Sequence, residues 1–146
     1  MSAGAIIIRE GKILLVRYNG RNNNSLLVGP GGGVENDEES ITQALIREVK
    51  EETGLEVTPF KLLFVEDFLS SLNKTVKIWF LCDVVSGQVA STQGASDEGI
   101  TEVGWYERDK LENEVVYPSA LLDENWESFF TDNFEAKYLG FKIADF

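Results

Sequence analysis

Three glutamates, Glu48, Glu51 and Glu52, stand close together in one stretch of the sequence. At about 100° per residue in an α-helix, Glu48 and Glu52 fall on the same side as the apolar Ile41 and Leu45. Carboxylates are unusual there, because that side of an amphipathic helix normally packs against the core. Like charges three and four residues apart repel one another and need a counter-charge. A hard divalent cation, Mg²⁺ or Mn²⁺, is an economical counter-charge because it prefers carboxylate oxygens.

A glycine-rich loop and a helix are the elements that must position these glutamates. The stretch from Gly31 to Leu55 reads GGGVENDEESITQALIREVKEETGL. Asn36 is the predicted N-cap, with Glu39 at the third helical position in a capping box. Gly54 suits the left-handed residue just past the end of the helix. From helix geometry alone, a solvated glutamate-rich helix without a metal is the alternative.

The same stretch contains a longer pattern. Gly33, five residues, Glu39, seven residues and then REVKEETGL from Arg47 to Leu55 match G-x5-E-x7-R-E-U-x-E-E-x-G-U, where U is aliphatic. Every specified position is filled, and so long a pattern is far more specific than a lone glycine motif. On these residues the chain resembles the Nudix hydrolase family.

The resemblance implies a fold and an activity. The fold is an α/β/α sandwich around a mixed β-sheet, which strands on both sides of a central helix also favour. The implied reaction is metal-dependent attack of water on the pyrophosphate linkage of a nucleoside diphosphate linked to another group. Nucleoside triphosphates and nucleotide sugars are the default substrates, and Mg²⁺ is the expected cofactor with Mn²⁺ as a substitute. A Nudix-fold domain that binds or senses a nucleotide without cleaving it is the alternative.

The resemblance also assigns roles to residues. Glu48, Glu51 and Glu52 are the expected metal ligands. Glu52 or Glu98 is the expected general base. The polar segment Ser86–Gly99 is predicted to be a loop, and a further glutamate from this region is expected as metal ligand or general base, with Glu98 as the first choice and Glu102 as the second. Arg47 is expected to orient the acids. Two further motif residues, Glu39 and Gly54, are predicted to be structural.

Four residues are candidates for substrate binding. Gly32 and Gly33 belong to the loop that forms one metal-binding unit with the helix in Nudix enzymes, and glycine lets backbone approach a ligand closely. Arg17 ends a predicted strand, where it contacts phosphate or is simply an exposed strand terminus. Arg21 lies in a polar loop and is a candidate substrate contact. Many relatives have an aromatic residue two or three positions before Pro30, where this chain has leucine and valine.

Composition narrows the function classes. The 146 residues fit one domain, 1–146, with enough apolar content for a core. The absence of histidine excludes Ser-His-Asp catalysis and the usual zinc sites. A net charge of −12 argues against a nucleic-acid polymer as partner. No signal peptide or membrane-length apolar run is apparent, so a cytoplasmic protein is expected. Cys82 is predicted to be a buried thiol.

The remaining segments read as strands followed by a helix. Two hairpins are predicted, from Ala3–Arg9 with Lys12–Tyr18, and from Glu56–Ser70 with Lys74–Val85. A helix near Pro118 is predicted from apolar residues at three- and four-residue spacing. Its stripe, and a set of aromatic residues in the second hairpin, are expected to be core: Leu121, Leu122, Trp126, Phe129, Phe130, Phe64, Phe68, Trp79 and Phe80. The aromatic segment 136–146 is an added strand, a lid or a homodimer contact.

Overall fold

The central helix and the strands on either side of it form in the order that the sequence patterns predict. The computed structural model describes residues 1–19, 24–69 and 74–143. Within these ranges the strands are β1 (Ser2–Ile6), β2 (Ile8–Arg9), β3 (Lys12–Asn19), β4 (Ser25–Val28), β5 (Gly31–Gly33), β6 (Glu56–Leu69), β7 (Lys74–Ser86), β8 (Ile100–Glu107), β9 (Val115–Tyr117) and β10 (Lys137–Ile143). The helices are α1 (Ile41–Thr53) and α2 (Gln93–Asp97), with 3₁₀ turns at Arg108–Leu111, Ser119–Leu122 and Trp126–Phe130.

Two mixed sheets organise these strands. The first has the order β10-β6-β7-β1-β5, in which β1 is parallel to β7 and antiparallel to β5. The second has the order β2-β3-β4-β9, and β8 also pairs with β3. The predicted α/β architecture with mixed strand directions is therefore confirmed. None of the helices in the described ranges is long and apolar enough to cross a bilayer.

The core lies on both faces of the strands. On one face, Leu45 and Val49 of α1 pack with Ala3 and Ala5 of β1. On the other face, the 3₁₀ turns contribute a second cluster with side chains from β3, β6 and β7. This explains the unbroken apolar run of β3, since a strand covered on both faces needs apolar residues at every position. Cys82 is buried as predicted, and burial raises the pKa of its thiol to about 12.

The start of α1 differs from the prediction. Ser40, not Asn36, is the N-cap: its Oγ accepts a hydrogen bond from the Gln43 backbone N–H at 3.1 Å, and Gln43 Oε1 accepts one from the Ser40 N–H at 2.8 Å. Asn36 Oδ1 instead accepts from the Glu38 N–H in the preceding loop. Both S-x-x-Q and N-x-x-E satisfy the capping-box pattern, so the sequence offered two starts. Gly54 ends the helix with φ 84°, as predicted.

The predicted helix after Pro118 is also wrong. The chain forms two separate 3₁₀ turns there, and the Asn125 side chain caps the second by accepting from the Glu127 N–H. Apolar residues every third position suit a 3₁₀ turn as well as an α-helix, because both bring such residues to one side. Within the predicted stripe Leu121, Trp126 and Phe129 are buried, whereas Leu122 and Phe130 are exposed.

Most predictions for the aromatic residues of the second hairpin and for the C-terminal segment are confirmed. Phe64, Phe68 and Trp79 are buried, whereas Phe80 is only half-buried. The segment from residue 136 contains an added strand, β10, which pairs in parallel with β6. The homodimer contact stays a prediction. Residues 71–73, the predicted turn of the second hairpin, lie outside the described residues.

Replacing the cap tests where α1 begins. Ser40→Ala removes the acceptor for the Gln43 N–H, so the free energy of unfolding should fall by about 1 kcal/mol. Asn36→Ala is the matched control, because Asn36 lies outside the helix and its loss should cost clearly less. Urea unfolding followed by circular dichroism measures both. If Asn36→Ala lowered the free energy of unfolding as much as Ser40→Ala, the assignment of Ser40 as the N-cap would be contradicted.

Candidate active site

Helix α1 places two glutamates against the core. Leu45 and Val49 are fully buried and hold the helix against the first sheet. Glu48 and Glu52 lie on the same side, and their side chains belong to residues only 3% and 0% exposed. Glu51 is exposed at the edge of this face. The position of Glu48 and Glu52 on the apolar side of the helix, which the spacing predicts, is confirmed.

The glycines of β5 leave room for these carboxylates. A Cβ atom on Gly32 would lie 2.5 Å from Glu48 Cδ, so any larger residue would displace that side chain. The Gly31 backbone N–H donates a hydrogen bond to Glu52 Oε1 at 3.3 Å. The backbone of β5 and the acidic face of α1 therefore form one unit, with glycine required for the close approach.

Arg47 holds the acidic side chains in place. Its Nε donates to Glu39 Oε1 at 2.6 Å and its Nη2 to Glu39 Oε2 at 3.1 Å. Its Nη1 donates to Glu48 Oε1 at 3.0 Å and to Glu51 Oε2 at 3.3 Å, and Nη2 also reaches the Gly33 carbonyl oxygen at 3.2 Å. The bond to Glu39 is the largest cause that raises the pKa of Arg47, and the same bond lowers the pKa of Glu39. Arg47 thus ties the loop before α1 to the acids of α1.

One guanidinium does not satisfy all of these carboxylates. Among the described residues, Glu48 Oε2 and Glu52 Oε2 are buried without a hydrogen-bond partner. Burial, and after it the nearby Glu98, raise the pKa of Glu52 to about 10. Burial and Glu98 also raise the pKa of Glu48, whereas Arg47 lowers it. The side chains around Glu48 and Glu52 therefore do not stabilise both carboxyl groups in their charged forms.

Helix α2 brings Glu98 to this site. Thr92, the N-cap of α2, donates from its hydroxyl to the Glu51 carbonyl oxygen at the end of α1. A Cβ atom on Gly94 would lie 2.6 Å from that same oxygen, so α2 is docked closely on α1. Glu98 is the C-cap of α2. The region predicted to be a loop therefore contains a short helix that presents Glu98 to the acids of α1.

The carboxylates meet the requirement for a divalent cation. One oxygen from each of Glu48, Glu51 and Glu98 lies within 4.8 Å of the other two. This trio includes Glu98, predicted as a metal ligand or general base. Glu52, a predicted metal ligand, is not one of the three. A set of carboxylate oxygens with free lone pairs suits Mg²⁺ or Mn²⁺, which bind few protein ligands and keep several waters.

A pocket of about 600 Å³ opens beside the acids. Its acidic lining residues are Glu35, Glu48 and Glu98, and the glycines of β5 form another part of the wall. Its apolar lining comes from Tyr18, Val28 and Phe68. A pocket of this size, with one charged and one apolar part, can hold a nucleotide-sized molecule.

The substrate-binding predictions fall in different places. Gly32 and Gly33 line the pocket. Arg17 lies outside its lining, because the guanidinium makes two hydrogen bonds of 3.1 Å to the Glu114 carboxylate and one to Ser25. Arg21 lies outside the described residues. Glu102, the second choice for general base, also lies outside the pocket lining, and it accepts a hydrogen bond from the Tyr106 hydroxyl at 2.7 Å.

Tyr18, Phe68 and Lys77 are among the pocket-lining residues that sequence reasoning did not assign to the site. Phe68 was assigned to the core, and it is both buried and part of the pocket wall. Lys77 carries a signal that the sequence does contain. Lys77 shares one face of β7 with Trp79 and Leu81, and a single charge on a buried face calls for a partner.

Comparisons with known proteins identify the family of this chain. Chain residues 1–125 match the model of the NUDIX domain. An 8-oxo-dGDP phosphatase, NUDT18, from Danio rerio is 32% identical over 106 residues, covering 72% of this chain and 31% of that protein. A MutT-like protein from Streptomyces ambofaciens is 33% identical over 123 residues, covering 83% of this chain and 73% of that one. The chain spans less than two thirds of the length of the first curated relatives that it matches.

Solved structures show the same fold. The crystal structure of a MutT NUDIX hydrolase from Burkholderia pseudomallei superposes with a TM-score of 0.70 at 26% identity, covering 84% of this chain and 94% of that one. The domain match covers most of the chain and includes the acids of α1, the glycines of β5 and Glu98. On this evidence the chain belongs to the Nudix family.

Proposed function

We propose that this chain hydrolyses the pyrophosphate linkage of a small nucleotide, a nucleoside diphosphate linked to a further group. The observation that carries the proposal is the pair of buried carboxylate oxygens on Glu48 and Glu52, which have no hydrogen-bond partner among the described residues. Burying such groups is costly unless something neutralises them. A bound divalent cation would neutralise the buried carboxylates and so explain why they lie on the core side of the helix.

Glu48, Glu51 and Glu98 would hold the cation, with Glu52 beside them as a further ligand. Their mutual distances and the free oxygens of Glu48 and Glu52 support this assignment. When bound, Mg²⁺ or Mn²⁺ would supply positive charge to the diphosphate oxygens and make water more acidic. Arg47 acts as a positioning residue, because its donors are occupied by Glu39, Glu48, Glu51 and the Gly33 carbonyl oxygen.

A carboxylate of this chain would accept the proton of the attacking water. Glu98 lines the pocket, and Glu52 lies next to the carboxylate trio, so both remain candidates. Glu102 is less suitable, because it is held by the Tyr106 hydroxyl and lies 3.7 Å from the Arg17 guanidinium. A general base must lie within hydrogen-bond reach of the proton that it removes.

The pocket indicates where each part of the substrate would bind. The diphosphate would lie against the glycines of β5 and the acids, where backbone N–H groups and cations are available. The nucleoside would lie against Tyr18, Val28 and Phe68, which provide aromatic and apolar surface. Val28 stands where many Nudix relatives carry an aromatic residue, so base stacking in this chain would fall to Tyr18 or Phe68.

A nucleotide screen tests the proposal. It should contain nucleoside di- and triphosphates, their 8-oxo-guanine forms and nucleotide sugars, each with Mg²⁺ and with Mn²⁺. The 8-oxo-guanine compounds are included because of what the Danio rerio relative is named for. Release of mononucleotide, phosphate or pyrophosphate would support a hydrolase. Nucleotide binding by calorimetry without any release would support the non-catalytic binding domain instead.

Removing one carboxylate at a time tests which glutamates take part in catalysis. Glu52→Gln and Glu98→Gln should each lower kcat by about 10²-fold or more, because a base or a ligand of the cation is lost. Glu102→Gln is the matched control, a glutamate four residues beyond Glu98 and outside the pocket lining, and its kcat should change little. Steady-state kinetics on the best substrate of the screen measures all three. Near-normal turnover by Glu52→Gln across the screen would show that its assignment is wrong.

The buried acid should also make stability depend on pH when no metal is bound. The folded-state pKa of Glu52, about 10, lies far above the ordinary carboxyl value. Its stabilising contribution is therefore complete below the ordinary value and is lost as pH rises toward the folded value. In chelator, the melting temperature of the wild type should fall more steeply between about pH 6 and pH 9 than that of Glu52→Gln. Added Mn²⁺ should reduce the fall. Parallel curves for the two proteins would contradict this account of the site.

A further inference from the structure

Lys77 is a charged residue on a buried face of β7. Trp79 and Leu81, two and four residues further on the same face, are fully buried. The Lys77 amine lies 4.5 Å from the centroid of the Trp79 ring, in a cation–π contact. A lysine in such a place gives up much of its hydration, and a ring alone replaces only part of it.

The strand register places Lys77 beside the glycine strand. Lys77 pairs with Ser2 of β1, and Ser2 pairs on its other side with Gly33 of β5. Residues paired in this way share a face of the sheet, so Lys77 and Gly33 stand in one row about 10 Å apart, two strand spacings. All three residues line the pocket.

The lysine side chain extends across β1. A Cβ atom on Gly4 would lie 2.9 Å from Lys77 Cε, so the aliphatic chain passes over that glycine. Gly4 is paired with Gly31 of β5. The lysine therefore leans toward the strand whose backbone lies against Glu48 and Glu52.

No acidic side chain among the described residues forms an ion pair with the Lys77 amine. Within those ranges, Lys77 makes no ion pair or side-chain hydrogen bond, and its contact is with the Trp79 ring. The nearest acid in the register is Glu66 on β6. Glu66 already accepts a hydrogen bond from Trp79 Nε1 at 2.7 Å and lies 3.3 Å from the Lys142 amine. Glu66 thus fixes the ring on which the lysine rests. Burial lowers the pKa of Lys77, and the charges of Glu52, Glu66, Glu48 and Glu98 raise it without a direct ion pair.

We infer that Lys77 is a substrate-binding residue that contacts a phosphate oxygen of the bound diphosphate. The inference rests on the proposed function and deepens it. Among the described residues that line the pocket, Lys77 is the one positively charged side chain, whereas Glu35, Glu48 and Glu98 are acidic. A phosphate oxygen would give the amine the direct hydrogen-bonded anionic partner that no described side chain provides, and the Trp79 ring holds the amine ready for it.

Binding of inorganic pyrophosphate tests this role without requiring catalysis. Calorimetry in the presence of Mn²⁺ should show pyrophosphate binding about tenfold or more weaker for Lys77→Met than for the wild type. Lys77→Arg should retain most of the affinity. Lys74→Met is the matched control, a lysine three residues earlier on β7 and outside the pocket lining, and it should bind normally. Titration with Mn²⁺ alone should show no loss of affinity in any variant, because Lys77→Met removes a positive charge that acts on Glu52, Glu48 and Glu98.

Two results would overturn the inference: wild-type affinity in Lys77→Met, or no pyrophosphate binding by the wild type. Thermal melts check that Lys77→Met is folded. If Lys77→Met does not fold, the pyrophosphate affinity of Lys77→Gln is measured instead, and wild-type affinity there would overturn the inference. The proposed function fails separately, through the nucleotide screen. A wild type that binds pyrophosphate through Lys77 but cleaves no nucleotide would keep this inference and remove the hydrolase.

Discussion

The burial of two carboxylates on the core side of α1 is the constraint on which the rest of the site depends. Glu48 and Glu52 continue the same face as Leu45 and Val49, so the packing that stabilises the helix also takes the acids out of water. Desolvation raises the pKa of both carboxyl groups. Such an arrangement is stable only if the surrounding groups are placed for it, and the neighbouring elements show how this is done.

Three parts of the fold surround the acids, and each comes from a different region of the chain. The glycines of β5 give the close backbone approach and one N–H donor. Arg47 joins the acids to Glu39 in the loop before the helix. Helix α2 docks on the end of α1 and delivers Glu98. Among the described residues, the Arg47 guanidinium and the Lys77 amine thus face several fixed carboxylates. A divalent cation can bind between these carboxylates and an anionic substrate.

Sequence patterns predicted the features that depend on neighbouring residues within one element, such as the face of the helix on which a side chain lies. Helical periodicity was enough to place Glu48 and Glu52 on the apolar face, and the Nudix signature was enough to give the family. The N-cap was wrong because Asn36 and Ser40 both begin acceptable capping boxes, and only the path of the preceding loop decides between them. The C-terminal helix was wrong because its apolar spacing also fits 3₁₀ turns. Lys77 was missed because its neighbours are set by pairing between β7, β1 and β5, which are far apart in sequence.

Anomalous diffraction at the manganese absorption edge, from crystals soaked in Mn²⁺, tests whether the buried acids bind a cation. We expect an anomalous peak within coordination distance of the carboxylate oxygens of Glu48, with Glu51, Glu52 or Glu98 completing the site. Glu48 and Glu52 should stay buried around it. No peak at this position, with these side chains turned out into solvent, would contradict the claim that the buried acids exist to bind a cation.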